Sequence, residues 1–398
     1  NTASEAVRSA FTNYMSDLDT FFMILSAEYN VTLYRRESII VFDEVQKFPI
    51  ARQTIKYLVA DGRYDYIETG SLISIKENVH DITIPSEERK MLMYPMDFEE
   101  FCWAMDEEEL SKYIRRCFHD EVALEQTLHL KAMLLLRQYI LVGGMPKSVS
   151  AFLENDRSFE KADIEKRDIL QLYREDIMKI KSGYRSGVLA IFDQIPSFLS
   201  QSGRRVIMNS VEKGASFPRY HDTFYWLADS MIVNECFNCK DPNVGLSLNE
   251  DRTYVKCYMG DTGLLISHTF DENEIVDEQL YKEILLGKLS VNEGMFYENV
   301  VAQMLVAAGH KLYFYTKYDN ATHRNEIEID FILSNKSKLK YKIYPIEVKS
   351  SDKYTTRSLS KFNEKFHSRI GRNYVIHPKN LKKEADTLFI PAYMAFCL

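Results

Sequence analysis

Two stretches near the C-terminus constrain this chain more than any other feature. In Glu326–Leu333, Ile327, Ile329, Phe331 and Leu333 alternate with Glu328 and Asp330. A period of two sends successive side chains to opposite faces, so the segment reads as a strand with one apolar and one acidic face. The same rule places Glu347 and Lys349 of Tyr341–Ser350 on one face and Ile346 and Val348 on the other. If the two strands form a hairpin, Asp330, Glu347 and Lys349 converge at one end of it. Hard cations such as Mg²⁺ take carboxylate oxygens plus water, and Asp330 and Glu347 supply the carboxylates. A lysine beside such an ion orients or deprotonates an attacking water and stabilises developing negative charge, which gives Lys349 a catalytic role. The plainer alternative is a pair of half-exposed strands whose charges are simply solvated.

The flanking sequence extends this into an α/β domain over residues 285–398. Ser290 and Glu293 have the spacing of a capping box, and the helix they open runs to Gly309, a natural stop. Its apolar stripe is Tyr297, Val301, Met304, Leu305 and Ala308, with Glu298 at the edge. A carboxylate there needs a partner, and a metal or Lys349 would serve. A helix near Thr356–Phe366 and strands at Asn373–Ile376 and Thr387–Ile390 complete the domain.

At the other end, Ile39-Ile40-Val41-Phe42 runs into Asp43-Glu44. Four large apolar residues in a row predict a strand buried on both faces, as in a parallel sheet. A helix over Ile50–Ala60 and a second strand, Tyr64 to Ser71, complete a strand–helix–strand crossover. Two acids at the end of such a strand have the form of a Walker B motif. The first, Asp43, holds Mg²⁺ through water, and the second, Glu44, polarises the water that attacks ATP. Thr69 and Ser71 fall where a γ-phosphate would be sensed. A buried strand that happens to end in two acids is the competing reading. No G-x-x-x-x-G-K-[ST] loop occurs anywhere in the chain. ATP binding therefore requires a cradle of backbone N–H groups from elsewhere. The sequence starts at Asn1 rather than Met, so a phosphate-binding strand and helix are expected upstream.

Between these ends, residues 97–184 carry helical spacing, ending a run of Leu134, Leu135, Gln138, Tyr139 and Leu141 at Val142-Gly143-Gly144-Met145-Pro146. Residues 185–270 give helices and then strands at Met231–Phe237 and Tyr254–Met259, the order of a winged helix. Within it, Ser216-Phe217-Pro218-Arg219-Tyr220-His221 opens a helix that fits either a DNA groove or a neighbouring domain. Cys236-Phe-Asn-Cys239 lacks the second ligand pair that structural zinc needs and reads as two ordinary strand thiols.

The net charge of −8 excludes a protein that coats nucleic acid over its whole surface. Contact with DNA or RNA has to run through a local patch. No apolar run reaches the roughly 18 residues of a membrane span and no signal peptide opens the chain, so a cytoplasmic location is expected.

Taken in order, several stretches resemble a prokaryotic family of AAA-type ATPases that carry a C-terminal restriction-endonuclease-like domain of unknown function. They begin with Ile40-Val41-Phe42-Asp43-Glu44-Val45-Gln46, Thr69-Gly70-Ser71-Leu72 and Tyr94-Pro95-Met96-Asp97-Phe98-Glu99-Glu100-Phe101. Next come Leu141-Val142-Gly143-Gly144-Met145-Pro146, Leu172-Tyr173-Arg174-Glu175-Asp176-Ile177 and Gly260-Asp261-Thr262-Gly263-Leu264-Leu265. Tyr297-Glu298-Asn299, Glu328-Ile329-Asp330-Phe331-Ile332 and Pro345-Ile346-Glu347-Val348-Lys349-Ser350 close the series. The resemblance implies an α/β chain in four parts. These are the remainder of an AAA-type P-loop NTPase sheet (1–96), a helical lid (97–184), a winged helix (185–270) and the nuclease-like end (285–398). It implies ATP and Mg²⁺ as cofactors, with Mg²⁺ at Asp43, the catalytic base at Glu44 and sensing at Thr69. It also implies a metal-site pattern at Glu298, Asp330, Glu347 and Lys349. The expected function is Mg²⁺-dependent ATP hydrolysis acting on or with nucleic acid. The alternatives are a nuclease regulated by the ATPase region and a non-catalytic binding module.

Overall fold

A computed structural model of the chain describes residues 4–45, 48–70, 89–180, 182–211, 217–271, 278–285, 293–319, 321, 324–334 and 342–398. The chain divides at Met93/Tyr94 into two units, each built as mixed α/β.

In the first unit, helices Glu5–Asn13 and Leu18–Tyr29 precede strand β1 (Ile39–Phe42), helix Pro49–Asp61 and strand β2 (Asp65–Glu68). β1 and β2 are parallel, with Ile39 opposite Asp65 and Phe42 opposite Glu68. Parallel neighbours need a crossover, which the helix between them provides. Pro49 starts that helix, where its missing N–H costs nothing, and Gly62 ends it in the left-handed region at φ 71°. The core is aromatic. Phe11, Phe21 and Phe22 pack edge to face, and Ile40, Phe42 and Tyr66 lean on them from the sheet. The expectation that β1 is buried on both faces does not hold. Ile39 and Val41 are 58% and 54% exposed, because the described helices pack on the Ile40–Phe42 side of the strand.

The second unit begins with a run of helices from Phe98–Ala104 to Phe217–Asp229. Asp97 and Glu100 form a capping box at the first. Strands β3 (Val233–Cys239) and β4 (Glu250–Met259) form an antiparallel ribbon, with Val233 opposite Met259. Helices precede this ribbon in the chain, but the ribbon is not free-standing. β3 also pairs in parallel with β5 (Leu312–Asp319), which pairs in turn with β6 (Arg324–Ile329), giving a four-stranded sheet in the order β4-β3-β5-β6. Among the described residues, the other sheet of this unit has five strands in the order β10-β11-β9-β8-β7, made of Lys382–Glu384, Thr387–Pro391, Asn373–His377, Ile343–Val348 and Phe331–Ser334 respectively.

The acidic strand and the central helix both depart from the sequence reading. The single strand expected over Glu326–Leu333 is broken at Asp330, with β6 in one sheet and β7 in the other. β7 and β8 are antiparallel, Phe331 opposite Ile346. In addition, helix Glu293–Ala307 is buried on every side from Met295 to Leu305 rather than along one stripe. A helix buried all round belongs at the centre of a unit, and its polar residues Glu298, Asn299 and Gln303 need partners there. Through it, the segments that the sequence divides at 184/185 and 270/285 share one hydrophobic core running from Phe98 to Phe396. Ser290 of the expected capping box lies outside the described residues, while Gly309 stops the helix at φ 83° as expected.

Candidate functional site

In the first unit, the acids of interest lie just past the carboxyl end of β1. The Thr69 hydroxyl, just past β2, donates to Asp43 Oδ1 at 2.5 Å. The Glu44 N–H donates to Thr69 Oγ1 at 3.3 Å, and the Val45 N–H to the Thr69 carbonyl at 3.0 Å. Parallel register explains the meeting, since Phe42 lies opposite Glu68 and the next residues of both strands emerge together. Asp43 is exposed and Glu44 half-buried, with Glu44 in the left-handed region at φ 56°. An exposed carboxylate beside a hydroxyl suits a hydrated Mg²⁺. Ser71 lies outside the described residues.

In the second unit, Glu298, Asp330, Glu347 and Lys349 do come near one another, but in company the sequence did not announce. Glu298 projects from the central helix and is 1% exposed. Its Oε1 accepts from Lys256 Nζ at 2.9 Å and from the Tyr258 hydroxyl, and its Oε2 is bound by Arg204. The expected partner of Glu298, a metal or Lys349, is thus replaced by two cations and a phenol. Lys256 and Tyr258 share a face of β4, and Lys256 is fully buried, its Nζ also 3.7 Å from Asp330 Oδ1 and 4.0 Å from Glu328. Burial alone would raise the Glu298 carboxyl, but Arg204, Lys256 and Tyr258 outweigh it and hold it below the usual carboxylate range.

Asp330, at the break between β6 and β7, accepts the Val348 N–H on Oδ2 at 2.8 Å. Burial, reinforced by Glu298, pushes its carboxyl up to about 7 against the pull of Lys256 and Lys349. Glu347 Oε1 accepts the Leu359 N–H at 3.0 Å, in the first turn of helix Arg357–Phe366. A carboxylate there satisfies an orphan N–H and meets the positive end of the helix dipole. Its other oxygen lies 3.3 Å from Lys349 Nζ. Among the described residues, no group of three or more His, Cys, Asp or Glu side chains is placed to hold a metal ion. Cys236 and Cys239 are buried free thiols.

Arg204, Lys256 and Tyr258 are absent from the sequence reading, although Lys256 leaves a trace. It is one lysine inside Tyr254-Val255-Lys256-Cys257-Tyr258-Met259, and a buried lysine announces a buried acid. Other quoted motifs turn out to meet in the interior. Asp261 Oδ2 accepts the Gly144 N–H at 2.6 Å and a Gln303 Nε2 hydrogen at 3.1 Å, while its Oδ1 caps Leu264 at 2.9 Å. Tyr139 donates to the Met96 carbonyl at 2.6 Å and accepts from Gln303 at 2.9 Å. Asn299 holds the Met259 N–H at 2.8 Å and its carbonyl at 3.1 Å. The Tyr-Pro-Met, Gly-Gly-Met-Pro, Gly-Asp-Thr-Gly and Tyr-Glu-Asn stretches therefore join one buried polar node. Arg219 and His221 have side chains outside the described residues, and so does Ser216 altogether.

Comparison with known proteins gives three family matches. Residues 6–102 match the family described as AAA domain. Residues 133–274 match a domain of unknown function, DUF8612, and residues 293–394 match another, DUF4143. The first and last support an AAA-type ATPase family, and an AAA-type region suggests nucleotide binding. No curated protein and no solved structure matches the chain. No described helix is long and apolar enough to cross a membrane.

Proposed function

We propose that the first unit is the Walker B and sensor part of an AAA-type ATPase. The observation that carries this is the hydrogen bond from Thr69 to Asp43 at the carboxyl ends of two parallel strands, within the AAA-matched residues. Open parallel sheets bind ligands at that end. Asp43, through its exposed carboxylate, would hold a hydrated Mg²⁺. Mg²⁺, when bound with ATP, neutralises charge on the phosphates. Thr69 fixes the Asp43 rotamer and links it to the second strand, so a shift at the phosphate is transmitted to β2. Glu44, one residue beyond, takes the proton-accepting position beside the attacking water. Its left-handed backbone is the kind of costly local geometry that concentrates at functional sites.

Nucleotide affinity on this reading depends on a phosphate-binding loop, so the test uses a longer chain that includes one. Glu44→Gln is expected to leave ATP binding intact and slow hydrolysis by two or more orders of magnitude, roughly what loss of a general base costs. ATP and Mg²⁺ failing to bind such a chain would remove the reading.

Nucleic acid is the proposed object of this activity, supported by local charge. Residues 342–383 hold eleven Lys and Arg against three Asp and Glu in a chain of net charge −8. Some of that charge is already spent, with Arg372 and Lys383 on Glu121 and Arg369 on Asp241. Binding of a DNA or RNA duplex that weakens steeply with added salt is the expected result. Salt-independent binding, or none, counts against it.

A further inference from the structure

We infer that the Lys256 ammonium stands where a divalent metal would sit, so the C-terminal acidic cluster is closed by the protein's own cations. A metal bound to Glu298 has to approach a carboxylate oxygen to about 2.1 Å, with water or further oxygens on its other sides. Both Glu298 oxygens are already engaged, one by Lys256 at 2.9 Å and the Tyr258 hydroxyl, the other by Arg204. Lys256 Nζ also faces Asp330 Oδ1 at 3.7 Å and Glu328 at 4.0 Å, and lies 5.1 Å from the centre of the Phe314 ring. A metal between Glu298 and Asp330 would therefore collide with the ammonium or be repelled by it at close range in a dry interior. Each remaining acid has one oxygen on main chain and the other facing a lysine, Asp330 Oδ1 facing Lys256 and Glu347 Oε2 lying 3.3 Å from Lys349 Nζ. Asp330 Oδ2 holds the Val348 N–H, and Glu347 Oε1 holds the Leu359 N–H.

The geometry has a further mark of permanence. Lys256 is fully buried on β4, and Glu298 lies on a helix buried on every side, so neither can swing out to solvent to admit an ion. Breaking such a pair leaves an uncompensated charge in the interior, which is why a transient opening is costly. The consequence is a C-terminal fold that uses these residues for cohesion rather than for metal-dependent cleavage.

The experiment is a Mn²⁺ titration of the nucleotide-free full chain. Thermal unfolding and the linewidths of the Ile329 and Ile346 methyl signals, which flank Asp330 and Glu347 in sequence, are monitored together. The expected result is an unchanged midpoint and unbroadened methyls. Broadening of these signals in the unaltered chain, removed by Glu298→Gln or Asp330→Asn, overturns the inference. Lys256→Ser deletes the ammonium and is expected to gain Mn²⁺ binding, read as a raised midpoint and broadening of the same methyls. A folded Lys256→Ser chain that ignores Mn²⁺ also overturns it. Should that variant fail to fold, the methyl linewidths of the unaltered chain decide alone.

Discussion

Single residues at the buried node and the charge cluster carry sharp expectations. A Cβ on Gly144 would overlap the Met96 carbonyl, and Gly143 has φ 84° with its Cβ position filled by Asp261. Overlap with backbone has no cheap relief, so Gly144→Ala is expected to cost on the order of 3 kcal/mol in urea unfolding. A loss under about 1 kcal/mol would mean that the backbone at Met96 can give way. Glu298→Gln removes the charge facing both Lys256 and Arg204, and its expected cost is roughly 3–5 kcal/mol. If Lys256 is replaced as well, by Met, part of that loss should return, because one of the two orphaned cations, the fully buried one, is gone. Double-mutant unfolding measures the recovery, and simple additivity of the two changes would contradict the pairing described here.

Elements show where sequence patterns run out. The strands around Asp330 and Glu347 were legible because alternation of apolar and charged residues is a local signal. The break at Asp330 was not, since it reflects which sheet each half joins, and that depends on pairing with the separate strands β5 and β8. Glu298 looked like a stripe-edge residue because helical spacing reports one face. Burial of the whole helix comes from partners such as β4 and the C-terminal turn Ala392–Cys397 that no local window contains. Helix Phe159–Met178 gives a testable case of its own. Its Lys166 is fully buried and donates to the Leu141 carbonyl at 2.7 Å and to Tyr281 at 3.0 Å. Burial pulls this amine down to about 8 against the opposing effect of Asp163. Lys166→Met keeps the apolar stem and loses the donor. The expected loss is about 2 kcal/mol, for an unsatisfied buried carbonyl and a weakened Asp163 cluster. Faster amide exchange at the end of helix Gln126–Val142 would locate the damage, and unchanged exchange there would argue that Leu141 does not need the lysine.

At the scale of the whole chain, acid should act through buried imidazole. His377 is buried, its Nδ1 2.7 Å from the Tyr354 hydroxyl, and desolvation pushes it down to about 4. The unfolded chain has an ordinary imidazole near 6.5, so it binds the proton first as pH falls. The neutral ring's contribution is therefore complete above about 6.5 and is lost as pH falls through about 4, amounting to about 3 kcal/mol. Asp330 works in the opposite direction. Its raised carboxyl favours the fold at low pH, and that contribution fades as pH rises through about 7. Comparing unfolding at about pH 7 and about pH 4.5 in the parent chain and in His377→Gln separates the two. Between those two pH values the parent should lose roughly 2–3 kcal/mol more, or gain that much less, than the variant, and an equal change in both would assign the response to other groups. The broad architecture was readable from the sequence at this scale, as strand–helix–strand at one end and α/β at the other. The domain count is harder to read, because a shared core is made by contacts between segments over a hundred residues apart, such as Gly144 with Asp261.

The acids around β8 hold main chain as well as charge: Asp330 carries the Val348 amide and Glu347 the start of helix Arg357–Phe366. Alanine scanning is therefore a poor instrument for this region. Truncating either acid releases a strand or a helix end, and any assay will then record a loss, whether or not the carboxylate ever took part in the function measured. Amide replacements such as Asp330→Asn, which keep an acceptor in place, are the substitutions from which a role can be read.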